Sequence, residues 1–218
     1  GEDHDDHDGG EDHEDHEDHD GGEDHDGDED HDDHDDHDHD GADPHFFTDP
    51  ARMAVAAHAI ADFLIAEVDG IDADAVAAAV EAYESELEAL DAEVADLVSS
   101  IPAESRVLVT NHEVFGYFAD RYDFDVIGTV IPGGSTTDGA SAGALAKLAE
   151  TLQAEGVTVL FADTSASDEL AQTLAAEVDD IEVVTLYSES LGEPGSDGAT
   201  YVDMIRANAE RIAAALAS

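Results

Sequence analysis

The residues of this chain able to do chemistry are its histidines and carboxylates. The 218 residues include 13 His, 58 Asp or Glu and no Cys. Disulfides and thiolate metal sites are therefore excluded, which leaves imidazole and carboxylate as ligand types. Ten of the histidines fall within residues 1–44, where they recur in triplets, EDHEDHEDH at 11–19 and DHDDHDDH at 30–37. Such a tract can hold zinc, nickel or copper weakly at many points, with His31, His34, His37 and His39 as accessory ligands. A merely solvated acidic linker is the plainer reading, but ten histidines exceed what solubility requires. Only His45, His58 and His112 lie beyond the tract. His58 sits mid-helix in an alanine-rich stretch, where packing or surface exposure explains it. His112 follows an apolar strand and Glu189 follows another, so an imidazole and a carboxylate can meet at one edge of a sheet. Both are ligands for a metal such as Zn²⁺.

The elements that must position these residues can be read from pattern. From Gly1 to Gly41 no residue is hydrophobic, so this part cannot offset its ordering entropy and is expected to be disordered. DPARMAVAAHAIADFLIAEV then reads as a helix, with Asp49 as N-cap, Pro50 in the first turn and Gly70 as terminator. A second helix is predicted from Asp72 to Ser99, with Val76, Val80, Tyr83, Leu87, Leu90, Val94 and Leu97 alternating four and three apart. At about 1.5 Å per residue it is a rod of about 42 Å, either a coiled-coil arm or a strut laid across two lobes. After Pro102, strands at 106–110, 125–130, 157–162 and 181–187 alternate with helices at 113–121, 142–155, 167–178 and 199–217. β-Branched, near-continuous apolar strands in that alternation predict an α/β lobe with a four-stranded parallel sheet and flanking helices. Ligands of such sheets bind beyond the carboxyl ends of the strands. Those ends carry Thr110-Asn111-His112-Glu113, Pro132-Gly133-Gly134-Ser135-Thr136, Asp163-Thr164 and Tyr187-Ser188-Glu189-Ser190. The division expected is a metal-gathering segment (1–44), a helical part with the long helix (45–101) and the α/β lobe (102–218).

Charge narrows the partners. The formal net charge is −52, with 6 basic residues in all. Residues 1–44 hold 25 acids and no Lys or Arg, so residues 45–218 keep 33 acids against 6 bases, a net of −27. Nucleic acid and anionic membrane are poor partners for such a surface, and cations are good ones. With a single lysine, Lys147, the folded part reads as made for a very salty solvent, in which cations screen its self-repulsion. No apolar run of 18 residues exists. The chain begins at Gly1 inside the low-complexity run, as a fragment or a processed chain would.

Three stretches make a specific resemblance. DPHFFTDP (43–50), NHEVFGYFADRY (111–122) and LYSESLGEPGSDGATYVDMIRANAERIAAAL (186–216) resemble, in order, segments of the solute-binding proteins of zinc and manganese ABC importers. A His/Asp-rich loop directly before the first motif is also similar to that of zinc-importing members. The resemblance implies two α/β lobes joined by a long helix, with a metal held between them by four side chains. It implies His45 as the second ligand, His112 as the third and Glu189 as the fourth, where many members have Asp. VIPGGSTTDGASA lacks the acidic residue common after the family's ST pair. The first ligand has no counterpart in this chain, and the lobe bearing it would lie upstream of Gly1. The resemblance further implies a monomeric receptor outside the cell, anchored through an upstream lipoprotein segment, which captures Zn²⁺ (alternatively Mn²⁺) and passes it to a membrane permease.

Two other functions compete with a receptor. Two His and one carboxylate also describe a catalytic zinc, but HExxH and an obvious general base paired with the ligands are missing from the sequence. A metal buffer acting through the tract alone would leave the folded part inert. In that folded part, the placement of His45 against the sheet is expected to depend on the long helix.

Two outcomes follow. A peptide of residues 1–41 should bind several zinc ions weakly in calorimetry, with affinity falling as pH drops through histidine's ordinary pKa of about 6.5. One tight stoichiometric site in that peptide contradicts the gathering-segment reading. Thermal melts of the whole chain should rise in temperature from dilute buffer to multimolar KCl, and a flat or falling trend removes the high-salt reading.

Overall fold

The computed structural model describes residues 43–130, 142–164, 169–178 and 181–217. The tract with His31, His34, His37 and His39 lies outside them, as does the stretch Pro132–Ser141 at the second strand's end. Helix α1 (Pro50–Glu67) starts where the sequence requires it. The Asp49 carboxylate accepts from the Ala51 and Arg52 N–H groups at 2.8 and 3.4 Å, and Pro50 takes the first helical position. Gly70, at φ +79°, supplies the left-handed residue at the reversal. Helix α2 (Ala73–Ser99) then begins on an Asp72 cap, accepting from the Ala75 N–H at 3.1 Å.

Its 27 residues fold back along α1 and then continue onto the sheet lobe. The expected apolar stripe is buried in the second half of α2, at Leu87, Leu90 and Val94, with Val98 joining them. A free coiled-coil arm is therefore not what α2 forms. Two polar fastenings hold it. Asp91 accepts from Arg121 Nε at 2.9 Å and Arg121 Nη2 at 2.5 Å, and from the buried Tyr122 hydroxyl at 2.9 Å. Glu93 accepts from Arg206 at 3.0 Å.

The four strands are β1 (Val107–Thr110), β2 (Asp125–Thr129), β3 (Val159–Asp163) and β4 (Glu182–Leu186), all parallel, in the order β2-β1-β3-β4. Helices α3 (Gly116–Tyr122), α4 (Ala142–Glu155), α5 (Glu169–Glu177) and α6 (Tyr201–Leu216) connect or follow them. Alternation along each strand sends side chains to two cores. Leu108, Val159 and Phe161 pack with α2, α3 and α6, where Val94, Phe118 and Ile212 are buried. Val109, Leu160 and Ala162 pack with α4 and α5 through Leu148, Leu152 and Leu174. Both faces are thus covered, and the two central strands, β1 and β3, are buried along nearly their whole length. At the edge strand the pairing of β1 with β2 skips Ile127, and Gly128 meets Val109. A Cβ on Gly128 would stand 2.7 Å from Leu148 Cδ1, so a larger residue there would oblige the leucine side chain to shift.

One boundary differs from the sequence expectation in a useful way. The helix expected from Glu113 begins at Gly116. The His112 carbonyl instead accepts the Thr110 hydroxyl at 2.9 Å and the Val114 N–H at 2.9 Å, which closes a tight loop and delays the helix.

The Asp91 fastening predicts a stability effect. Arg121 holds the Asp91 carboxyl below the usual carboxylate range, burial opposing and Tyr122 adding to the effect. Its contribution is complete above the ordinary Asp pKa of about 3.9 and fades as pH falls through the lower folded value. Asp91→Ala should cost about 2 kcal/mol at pH 7, or roughly 4–8 °C in a melt. That difference should narrow below pH about 3.9, and an equal deficit at every pH contradicts the charge-assisted role.

Candidate metal centre

The sheet reverses its winding between β1 and β3, since the chain passes from β1 outward to β2 and then returns to the other side of β1. Crevices form at such a reversal, beyond the carboxyl ends of the strands. His112 follows β1, Asp163 ends β3, and Glu189 follows β4. The rim expected from sequence thus becomes one place, and His112 is 2 % exposed within it.

The structure brings His45, His112 and Glu189 together. Each offers one ligand atom, and these atoms lie within 4.8 Å of one another. His112 Nε2 is 3.5 Å from Glu189 Oε1, and His45 Nε2 is 3.7 Å from the same oxygen. Tetrahedral zinc, with bonds of about 2.0–2.2 Å, holds its ligands about 3.4 Å apart, close to the two separations from the Glu189 oxygen, while the group as a whole, spread within 4.8 Å, would have to draw together. Burial grades across the site: the His112 side chain is 2 % exposed, that of His45 12 % and that of Glu189 45 %. The centre therefore opens toward solvent on the Glu189 side.

His112 Nε2 is buried and, among the described residues, has no hydrogen-bond partner. An unmet buried nitrogen is costly, and a cation at the crevice is the group that would satisfy it. On the far side of the ring, His112 Nδ1 lies 3.5 Å from Asp163 Oδ2. The buried Ser188 hydroxyl donates to that same carboxylate oxygen. His45 is oriented in the same manner, with Nδ1 2.7 Å from Asp43 Oδ1, which also accepts the His45 N–H at 2.9 Å. Each imidazole thus has a carboxylate behind Nδ1 and presents Nε2 to the centre, an arrangement that fixes the ring and raises its basicity as a ligand.

The loop bearing Glu189 is set by what precedes and follows it. Buried Asn208 on α6 accepts the Tyr187 N–H at 2.9 Å and donates to the Tyr187 carbonyl at 2.7 Å, fixing the exit of β4. The Tyr187 hydroxyl donates to Asp197 at 2.7 Å, and Arg211 lies 4.8 Å over its ring while pairing with Asp197 at 2.7 Å. A Cβ on Gly198 would fall 2.4 Å from that ring, so the loop wraps the tyrosine at a distance only glycine permits.

His58 does not join this group. Its Nδ1 is 2.8 Å from Glu84 and its Nε2 3.6 Å from Asp62, on the exposed seam between α1 and α2. Asp43 and Asp163 were not singled out as orienting groups by sequence reasoning. Asp43 lay in the DPH motif and Asp163 on the rim, but nothing in one dimension says which imidazole each would face.

A family profile described as "Zinc-uptake complex component A periplasmic" matches residues 4–215. The zinc-binding protein TroA of Treponema pallidum is 33 % identical over 180 residues, which cover 80 % of this chain and 58 % of TroA. A manganese-binding lipoprotein, MntA of Halalkalibacterium halodurans, is 26 % identical over 177 residues, covering 81 % of this chain and 58 % of that protein. In three dimensions the periplasmic zinc-binding protein TroA of T. pallidum superposes with a TM-score of 0.75 at 31 % identity, over 81 % of this chain and 64 % of that one. A manganese-bound periplasmic metal-binding protein of Candidatus Liberibacter asiaticus shares the fold at a TM-score of 0.71 and 20 % identity, over 80 % of this chain and 63 % of that one. This chain therefore spans less than two thirds of the relatives it matches. On the extent of the profile match and the identity to TroA, the chain belongs to the zinc-uptake complex component A family of periplasmic metal-binding proteins.

Proposed function

We propose that this chain is the metal-capturing part of an ABC-importer receptor, taking Zn²⁺ outside the cell through His45, His112 and Glu189 and handing it to a membrane permease. The observation that carries this reading is the convergence of those three side chains, one of them a buried imidazole whose Nε2 has no hydrogen-bond partner among the described residues. The names of the relatives, zinc-binding and manganese-binding, support a metal cargo and a receptor rather than an enzyme. Zinc is favoured over Mn²⁺ by the donor set, because two imidazoles, each backed by a carboxylate, suit the softer ion. A single carboxylate is little to offer manganese.

Three protein ligands leave one position for a fourth. Water or a residue of further polypeptide would complete a tetrahedron. The receptor acts as a monomer, and an upstream lipid anchor would hold it at the cell surface. The tract serves to raise the local metal concentration, with the selective step left to the folded site.

A chain starting at Gly41 tests this. It should retain one zinc site of 1:1 stoichiometry and bind zinc in preference to Mn²⁺ in competition calorimetry. His112→Ala should abolish that site, and His58→Ala should leave it unchanged. Loss of all zinc binding on removing residues 1–40 would instead support a buffer acting through the tract. Equal effects of the two histidine substitutions would sink the role of His112.

A further inference from the structure

We infer that Tyr117 and Tyr201 are positioning residues of the metal centre, fastening the segment that carries His45 onto the sheet lobe from both sides. The inference rests on the metal-receptor reading and adds to it the groups that bring His45 into place. His45 belongs to no strand or helix of the lobe; it stands just before a short 3₁₀ turn, Phe46–Thr48, ahead of α1. The Tyr117 hydroxyl donates to the Asp43 carbonyl at 3.2 Å. The Tyr201 hydroxyl donates to the Phe47 carbonyl at 2.8 Å. Those two carbonyls lie two residues before and two residues after His45, so the ligand is held between them.

The origin of each tyrosine gives the pairing its meaning. Tyr117 follows His112 by five residues, in the first turn of α3. Tyr201 follows Glu189 by twelve and opens α6. The stretch of chain after each rim ligand thus reaches back to grip the backbone around His45. Local bonds set the shape of the segment itself: the His45 carbonyl accepts the Thr48 hydroxyl at 3.0 Å and the Thr48 N–H at 3.1 Å. They do not set where the segment lies against the sheet. The tyrosines do, helped by Arg52, whose guanidinium stands 4.4 Å over the Tyr117 ring. A Cβ on Gly116 would lie 3.3 Å from Asp43 Oδ2, so the segment approaches the start of α3 closely. Burial, with Tyr83 and Asp49 adding, holds the Tyr201 phenol above the ordinary tyrosine range. It therefore stays a donor at every pH at which a neutral imidazole can bind metal.

The test uses the full chain with Zn²⁺, and a competing chelator keeps free zinc below the range that loads the tract. Tyr201→Phe keeps the ring and removes only the donor, and should weaken the site about fivefold. Tyr117→Phe with Tyr201→Phe should weaken it roughly 10- to 100-fold. A general loss of fold would weaken all ligands alike, so the His45 and His112 ring resonances are followed separately by NMR. In the double variant at saturating zinc, His112 should shift as in the parent chain while the response of His45 is reduced. Unchanged affinity in the double variant, or equal responses of both imidazoles, overturns the inference while leaving the metal site intact. Tight zinc binding that survives His112→Ala overturns the site and this inference together.

Discussion

The structure turns on a single buried imidazole. His112 sits at the reversal point of a parallel sheet, with Nε2 lacking a hydrogen-bond partner among the described residues and Nδ1 facing the carboxylate of Asp163. A buried polar atom left without a partner costs of the order of 1–3 kcal/mol, which a fold carries only where something else gains from it. Its backbone has no freedom to escape, because Thr110 and Val114 both bond the His112 carbonyl. The ring is therefore committed to the crevice before any ion arrives. This pre-organisation lets the strong ligand field of an imidazole act on a metal without first ordering a loop.

The other two ligands are brought to this ring by different physics. Glu189 arrives on the strand after next in the sheet, with Asn208 clamping the backbone where β4 ends. Its carboxylate stays half-exposed, the natural place for the one charged ligand, since burying it without a cation would cost far more than burying a neutral imidazole. His45 comes from outside the sheet altogether, in a segment joined to it through α1 and the long α2. A helix of about 40 Å anchored by Asp91 and Glu93 is too coarse a device to set a ligand to a fraction of an ångström. Short-range hydrogen bonds to the segment's own backbone provide the finer adjustment.

Much of this was legible in one dimension, and the remainder was illegible for identifiable reasons. The Asp49 and Asp72 caps, the four-and-three spacing along α2 and the four apolar strands are local signals, and each element lies within a few residues of its expected place. His45, His112 and Glu189 could be named from motifs and from the rule that strand ends carry ligands. The strand order could not, because the crossovers that generate it depend on which helix covers which face. The long helix was ambiguous between arm and strut because periodicity reveals a stripe but not its partner, here α1 and then α6. The link from Tyr201 to Phe47 spans 154 residues and leaves no trace in spacing. Asn208 and Arg206 stood in the sequence as an R-x-N pattern, yet their separate tasks, one gripping β4 and the other gripping α2, appear only in three dimensions.

The charge of the chain by itself works against selectivity. A net of −27 on residues 45–218 attracts every cation in solution, and in a salty medium the monovalent ions greatly outnumber any transition metal. Carboxylates alone could not discriminate, since hard oxygen donors bind calcium, magnesium and manganese as readily as zinc. The centre resolves this by composition. Its acids lie mostly over the surface, where the field is nonspecific and screened within about 10 Å at 0.1 M salt and less in brine. The three converging side chains of the proposed site include only one carboxylate, and an imidazole offers a metal a nitrogen donor, which sodium and potassium have little reason to prefer. Attraction and recognition are thus assigned to different chemical groups. Adding salt removes the first and leaves the second, so a metal site of the proposed composition would keep its selectivity in a solvent that screens the field.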